Sequence, residues 1–102
     1  MPRSEPSHNA LEPPPFALGQ VVATSGALAA LARCGQTPAV LLTRHARSDW
    51  GDLDEQDRQQ NDRSLARGLR LLSAYNLLDG TKLWIITEAD HSATTLLLPD
   101  EY

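Results

Sequence analysis

The chain has 102 residues, 41% of them hydrophobic and 22% charged, which fits one globular domain rather than two. Its net charge of −4 disfavours non-specific nucleic-acid binding, which needs clustered basic residues, so we expect no direct nucleic-acid ligand. The single cysteine, Cys34, excludes a disulfide within the chain and disfavours a cysteine-based metal site. No signal-peptide pattern and no apolar run of about 20 residues is present, so we predict a soluble, cytoplasmic protein without a membrane span.

The N-terminal segment differs in composition from the rest of the chain. Residues 1–15 are polar and contain five of the seven prolines. Proline lacks an N–H donor and restricts the residue before it, so helices and strands are disfavoured here. We predict a disordered Pro-rich tail over residues 1–15, followed by a single α+β domain over residues 16–102.

The first predicted elements are short. Residues 20–23 are a β-branched run that forms either a fourth, short strand or an extended lead-in. A helix rich in Ala and Leu is predicted over residues 27–33, with Leu28 and Leu31 on one face. Gly35 is expected to end it, because glycine adopts the left-handed conformation freely.

Two further helices are predicted before the sheet. A cap residue followed by proline starts the second helix, which runs over residues 38–47. Val40, Leu41 and Leu42 are expected to pack inward from it. The third helix, over residues 54–66, is almost entirely polar.

The most specific local signal is a hairpin between two apolar runs. Residues 69–78 are predicted to form one strand and residues 83–87 its partner. The Asp-Gly pair at 79–80 is a preferred sequence for a two-residue type I′ turn. Such a turn sets Tyr75 opposite Trp84, and paired residues share one face of a sheet.

A third strand over residues 93–98 follows a turn at residues 89–92. The elements together predict an α+β fold, in which about three N-terminal helices pack on a C-terminal three-stranded antiparallel sheet. Alternation gives both sheet faces apolar side chains. The helices cover one face, and the face bearing Tyr75 and Trp84 is either covered as well or available to a partner.

Charge is unevenly distributed along the chain. Residues 13–48 contain no acid, whereas residues 49–62 contain six acids and one arginine. Such a segment either engages a basic protein surface of the kind that binds nucleic-acid phosphate or is a solvated helix with acids near its N-terminus. The predicted partner-binding residues are the acids and aromatic residues Asp49, Trp50, Asp52, Asp54, Glu55, Asp57, Tyr75 and Trp84.

Two further features bear on function. Trp50 lies in a turn rich in Gly and Asp, so it either fills the core between the second and third helices or anchors a partner. His45 and Asp49 are four residues apart, which brings a base beside an orienting carboxylate if the second helix extends that far. Zinc motifs, glycine-rich phosphate loops and the nucleophile elbow are absent, and we expect no cofactor or metal.

Five blocks of the sequence resemble a family of small bacterial proteins of uncharacterised function, carried on plasmids and integrated mobile elements. The blocks are LGQVVAT (18–24), DWGDL (49–53), LLSAY (71–75), DGTKLWIITEAD (79–90) and LLPDEY (97–102). Some members carry a label tying them to a restriction–modification subunit. The resemblance implies a setting in mobile DNA, and it carries over no catalytic residue.

Three functions are open at this point. The first is a non-enzymatic, acidic interaction protein of a mobile genetic element that inhibits a host nucleic-acid-targeting defence system, of the anti-CRISPR or anti-restriction type. The second is a small hydrolytic enzyme that uses His45 and Asp49. The third is a structural or regulatory homodimer formed across the Tyr75/Trp84 face.

Overall fold

The computed structural model describes residues 16–102, which form three α-helices and a four-stranded mixed sheet. The α+β class is therefore as predicted, while the predicted disordered tail over residues 1–15 lies outside the described residues. In chain order the elements are β1 (Gln20–Ala23), α1 (Ser25–Arg33), α2 (Pro38–Ala46), α3 (Glu55–Arg67), β2 (Leu71–Asn76), β3 (Lys82–Thr87) and β4 (Ala93–Leu97), followed by a 3₁₀ turn, Pro99–Glu101.

The three helices begin and end within two residues of their predicted limits. The Thr24 hydroxyl accepts a hydrogen bond from the Ala27 N–H at 3.0 Å and so caps α1. Asp54 caps α3 in the same way, accepting from the Asp57 N–H at 2.8 Å. Gly68 ends α3 with a φ of 68°, a conformation that disfavours any residue with a Cβ.

The buried stripes of α1 and α2 differ from the prediction. Ala27, Ala30 and Leu31 are the buried residues of α1, while Leu28 is largely exposed. Val40 of α2 is also exposed, so the prediction that it packs inward is wrong. The two alanines permit a close approach of the α1 backbone to the sheet, and this contact decides the orientation of the helix.

The strand order in the sheet is β1-β4-β3-β2. Strands β2, β3 and β4 form an antiparallel meander, and β1 adds to β4 in parallel. The short run at residues 20–23 is therefore a strand. Its parallel direction is possible because the three helices and the hairpin lie between β1 and β4 in the chain.

The register of the β2–β3 hairpin differs from the prediction by one residue. Tyr75 pairs with Leu83, and Trp84 pairs with Ala74. The loop has three residues, 78–80, because the Leu77 N–H bonds to Thr81 O at 2.8 Å and the Gly80 N–H to Leu77 O at 2.9 Å. Gly80 has a φ of 87°, as the left-handed residue of a three-residue hairpin loop requires.

This shift places Tyr75 and Trp84 on opposite faces of the sheet, so the predicted Tyr75/Trp84 face does not exist. The inner face packs against the helices and consists of Leu71, Ser73, Tyr75, Leu83, Ile85, Thr87, Thr94 and Leu96. The outer face consists of Leu72, Ala74, Trp84, Ile86, Thr95 and Leu97, with the exposed polar pair Asn76 and Lys82 at its hairpin end. Relative to Trp84, the side chains of β2 therefore lie on the face opposite to the predicted one.

Candidate functional site

The acidic segment closes the free edge of the sheet at β2. The Ala74 N–H donates to Trp50 O at 3.1 Å, and the Asp52 N–H donates to Ala74 O at 2.6 Å. The Asp52 carboxylate accepts from the Asn76 N–H at 2.7 Å. The backbone around Gly51 therefore acts as a short parallel edge strand, which leaves these groups of β2 unable to pair with another chain.

Asn61 of α3 completes the closure of this edge. Its side-chain amide donates to Leu72 O and accepts from the Leu72 N–H at 3.2 Å. A primary amide offers one acceptor and two donors, so it replaces the peptide group of a missing neighbouring strand. Asn61 is buried on an otherwise polar helix for this reason.

The acids of residues 49–62 form a surface that we call the acidic ridge, namely Asp49, Asp52, Asp54, Glu55, Asp57 and Asp62. Asp49 accepts two hydrogen bonds from Arg44, at 2.7 and 3.2 Å, and this bond holds the pKa of the Asp49 carboxyl below its usual range. Asp62 accepts from the Trp50 indole N–H at 3.0 Å. With the cap at Asp54, the bond at Asp52 and the 3.2 Å bond from Gln59 Nε2 to Glu55, five of the six carboxylates accept hydrogen bonds within the protein.

The ridge concentrates the negative charge of the protein. It has six carboxylates against the single guanidinium of Arg58, a net charge of −5 over residues 49–62. The other 88 residues carry seven acids and eight Lys or Arg residues, a net charge of +1. All six acids of the ridge are exposed, so their charge reaches solvent although five of the carboxylates accept hydrogen bonds within the protein.

Trp50 is a core residue. It is only 4% exposed and packs with Phe16 and Leu71. Its ring lies edge-on against His45 of α2 at 5.7 Å between centroids, while its N–H bonds to Asp62 of α3. Trp50 therefore fills the core between these two helices, and a partner cannot reach it in this conformation.

Tyr75 is equally inaccessible. It is 1% exposed, and its hydroxyl donates to Asp49 O at 2.5 Å. Burial raises the pKa of its phenol to about 12. The Arg44 guanidinium stacks over one side of the Tyr75 ring, 4.6 Å from its centre. Of the three aromatic residues predicted to bind a partner, only Trp84 is on an accessible surface.

The structure does not bring His45 to Asp49. The ring of His45 is fully buried, with Nδ1 2.5 Å from Ser73 Oγ and Nε2 2.8 Å from Thr87 Oγ1. Asp49 instead bonds to Arg44. Both ring nitrogens of His45 are therefore occupied, and the predicted base–carboxylate pair is absent from the folded protein.

The hydrogen bonds around His45 form a directed chain, which we call the buried relay. Thr94 donates its hydroxyl to Leu18 O at 2.7 Å, so Thr87 must donate to Thr94 across their 2.7 Å contact. Thr87 then accepts from His45, which places the imidazole proton on Nε2. Ser73 in turn donates to Nδ1, because a neutral imidazole has one acceptor nitrogen.

The relay has the atoms of a serine–histidine pair without access for a substrate. Ser73, His45 and Thr87 are each fully buried, with Phe16 and Trp50 edge-on or tilted against the imidazole side. Burial lowers the pKa of His45 to about 4, so the ring is neutral near pH 7. Among residues 16–102, no three His, Cys, Asp or Glu side chains come together as metal ligands.

The outer face carries an accessible apolar concavity. Trp84 and Leu72 are half-buried there, and a concavity of about 340 Å³ lies between them and Arg70. Tyr102 crosses this face, edge-on to Trp84 at 5.9 Å, with its hydroxyl accepting from Arg70 at 2.6 Å. Tyr102 is itself 67% exposed, whereas Ala74, Ile86 and Leu97 are buried, so the accessible apolar part of this face is the region of Leu72 and Trp84.

Sequence reasoning missed the relay and the edge closure by Asn61. A signal existed for the relay, because Ser73, Thr87 and Thr94 are polar residues inside apolar strands, whereas nothing in the polar sequence of α3 distinguishes Asn61. Their hydrogen-bond partners lie 7 to 76 residues away in the chain, and most of them are beyond the reach of a local pattern.

Comparisons of this chain with protein-family models, with curated proteins and with solved structures gave no match. No helix within residues 16–102 has the length and apolar character that crossing a bilayer requires. The function is therefore argued from the surfaces described above.

Proposed function

We propose that the chain is a non-enzymatic protein-binding protein whose partner covers the outer face and contacts the acidic ridge beside it. The observation that carries this proposal is the apolar character of the outer face. Leu72 and Trp84 are half-buried there and, with Ile86, line the concavity of about 340 Å³, although a sheet face in contact with water normally alternates to polar side chains. An aromatic residue beside an apolar concavity is typical of a protein interface.

The acidic ridge supplies a charged flank to this apolar centre. It borders β2, the strand whose Leu72 and Ala74 belong to the outer face. Protein interfaces commonly combine an apolar centre with a polar rim. Because hydrogen bonds already hold five of the ridge carboxylates, little side-chain freedom is lost on binding, so the ridge suits a partner with basic residues at matching positions.

The chemistry of the partner follows from this charge. A protein surface that binds nucleic-acid phosphates carries the clustered Lys and Arg that the ridge complements. The resemblance to proteins of plasmids and integrated elements supports a host defence complex of the restriction or CRISPR type as that partner. The chain would then inhibit the complex in the cytoplasm by occupying its nucleic-acid surface.

The hydrolase alternative has less support. His45 lacks both the predicted carboxylate and a path to solvent, and the same burial applies to Ser73. The homodimer across a Tyr75/Trp84 face has no support, because those residues lie on opposite faces.

The proposal is tested by inhibition of purified defence complexes. DNA cleavage by a multisubunit restriction enzyme and by a CRISPR effector is measured while this protein is titrated in. We expect inhibition of one class of complex. Trp84→Ala should weaken it by about 30-fold, as for an aromatic residue at the centre of an interface. Asp57→Lys, which reverses a ridge charge without removing a side-chain hydrogen bond, should weaken it by about tenfold.

The matched control is Asp100→Lys, which makes the same charge change on the exposed 3₁₀ turn away from the ridge. It should inhibit like the unaltered protein. If neither class of complex is bound or inhibited, the proposed partner class is wrong. Equal weakening by Asp57→Lys and Asp100→Lys would show that net charge, rather than the ridge, is responsible.

A further inference from the structure

The two edges of the sheet differ in whether other segments cover their backbone groups. The β2 edge is closed by residues 50–52 and by Asn61, whereas in the described part of the chain no strand lies beyond β1. Along the edge of β1 that faces β4, the N–H groups of Gln20 and Thr24 donate to Ser92 O and Leu96 O, each at 3.0 Å. The backbone groups of the alternate residues, Val21 and Ala23, therefore point away from the sheet.

Strand β1 lacks the chemical protection that many edge strands have. Natural edge strands are kept very short or carry Lys, Pro, a bulge or an inward charge that prevents pairing with another chain. The sequence Gln-Val-Val-Ala has no charge, proline or bulge, and its register with β4 is continuous, so its length of four residues is its remaining protection. Val21 and Val22 are 42% and 43% exposed, one on each face of the sheet. The edge combines unpaired backbone groups with exposed β-branched side chains, the combination that favours strand addition.

We propose that β1 pairs antiparallel with β1 of a second copy of this chain, about a two-fold axis beside Val22. A two-fold axis perpendicular to the sheet keeps each side chain on its own face, so Val22 lies opposite Val22 and Val21 lies opposite Ala23 of the other copy. The outward backbone groups of Val21 and Ala23 then form the hydrogen-bonded pairs. The product is a continuous eight-stranded sheet with the helices of both copies on one side.

The distribution of charge selects a second copy as the occupant. Residues 19–25 carry no charge, so the edge presents nothing that would recognise a charged foreign strand or repel its own copy. The acidic ridges lie at the two far edges of the eight-stranded sheet. Seven strand spacings of about 4.8 Å separate these edges by about 34 Å, well beyond the Debye length of about 8 Å at physiological salt.

The size of β1 sets the strength of this dimer. A pairing limited to four residues in each strand buries less than the roughly 1,200 Å² of a stable interface. The dimer is therefore weak and depends on protein concentration. It leaves the outer face and the ridge accessible, so it is independent of the function proposed above.

The geometry is tested by disulfide trapping in a Cys34→Ala background. Opposed residues of a non-hydrogen-bonded antiparallel pair have Cα atoms about 4.5 Å apart, within disulfide range. V22C should therefore give an oxidised dimer on a non-reducing gel. Q20C is the control: its two copies would be offset by four residues, about 14 Å along the strands, too far to bridge.

Sedimentation velocity on the protein without added cysteines supplies a second measurement. We expect a monomer–dimer equilibrium that V22K abolishes, since a lysine at the edge opposes pairing. V40K, on the exposed side of α2, should leave the equilibrium unchanged and controls for added charge. A monomer at every concentration, a dimer insensitive to V22K, or equal trapping by V22C and Q20C would each overturn the proposal.

Discussion

At the scale of single residues, the main feature is a neutral imidazole held in the core. His45 contacts Ser73 and Thr87 through its two nitrogens, and the relay continues to Thr94 and Leu18 O. Each polar side chain of the buried relay has a hydrogen-bond partner, which is the condition for burying polar atoms at low cost. The relay connects α2 to three strands and fixes the orientation of the helix on the sheet.

The burial of His45 predicts a loss of stability in mild acid. Its pKa is about 4 in the folded protein and about 6.5 when unfolded. The unfolded state therefore binds more protons between these values, so the free energy of unfolding falls as the pH is lowered from about 6.5 to 4. The change is about 1.4 kcal/mol per pH unit, about 3 kcal/mol in all, measurable by urea denaturation.

Carboxylates also titrate near pH 4, so the comparison protein is His45→Gln, whose amide can keep one donor and one acceptor in the core. The difference in stability between the two proteins should shrink as the pH falls through this window. If the free energy of unfolding changed equally with pH in the two proteins, the pH dependence would not come from His45. Imidazole NMR signals of the unaltered protein give a second reading: they should show the Nε2–H tautomer and no protonation of His45 above about pH 5.

At the scale of elements, the closure of the β2 edge explains why a polar helix belongs to this fold. Helix α3 has few apolar residues to bury, and only Asn61 and Ser64 are buried on it. Its position is set largely by the two hydrogen bonds between Asn61 and the backbone of Leu72. Here a helix side chain takes the place of a strand.

This role predicts the effect of Asn61→Ala. The substitution leaves the Leu72 N–H and C=O without their partners, at a cost of about 2 kcal/mol in the free energy of unfolding. Gln59→Ala, on the exposed side of the same helix, should change stability by no more than about 0.5 kcal/mol. Hydrogen exchange of the Leu72 amide should accelerate only in the Asn61 variant. Equal stability of the two variants would show that the edge does not depend on Asn61.

The hairpin shows how far local signals specify an element. The Asp-Gly pair at 79–80 correctly marks the turn, but glycine in a left-handed conformation serves both a two-residue and a three-residue loop. Burial of Leu77 in the core accompanies the longer loop. One added loop residue reverses every side chain of β2, and with them the predicted aromatic face.

At the scale of the whole molecule, three surfaces with different chemistry lie around one sheet: the apolar outer face, the acidic ridge at the β2 edge and the neutral β1 edge. The proposed partner contacts the first two, and the proposed dimer uses the third. Their charges differ, so the two associations should respond to salt in opposite ways.

Binding of the defence complex should weaken as salt rises from 50 to 500 mM, because ions screen the attraction of the ridge for basic residues. The dimer should instead strengthen between 10 and 150 mM salt. At low salt the Debye length of about 30 Å approaches the spacing of the two ridges, and their repulsion acts. Sedimentation velocity at both salt concentrations measures this change. If the dimer instead weakened as the salt concentration rises, attraction between opposite charges would have to contribute to its interface.

The sequence by itself determined the α+β class, the limits of the helices to within two residues, the three antiparallel strands and the position of the acidic segment. These depend on caps, turns and periodicity, which act over a few residues. Only the tertiary structure decided the face on which the side chains of β2 lie, the burial of Trp50 and Tyr75, and the partners of His45 and Asn61. These depend on a one-residue register and on contacts between distant segments, where packing of the complete core selects among arrangements that are locally equivalent.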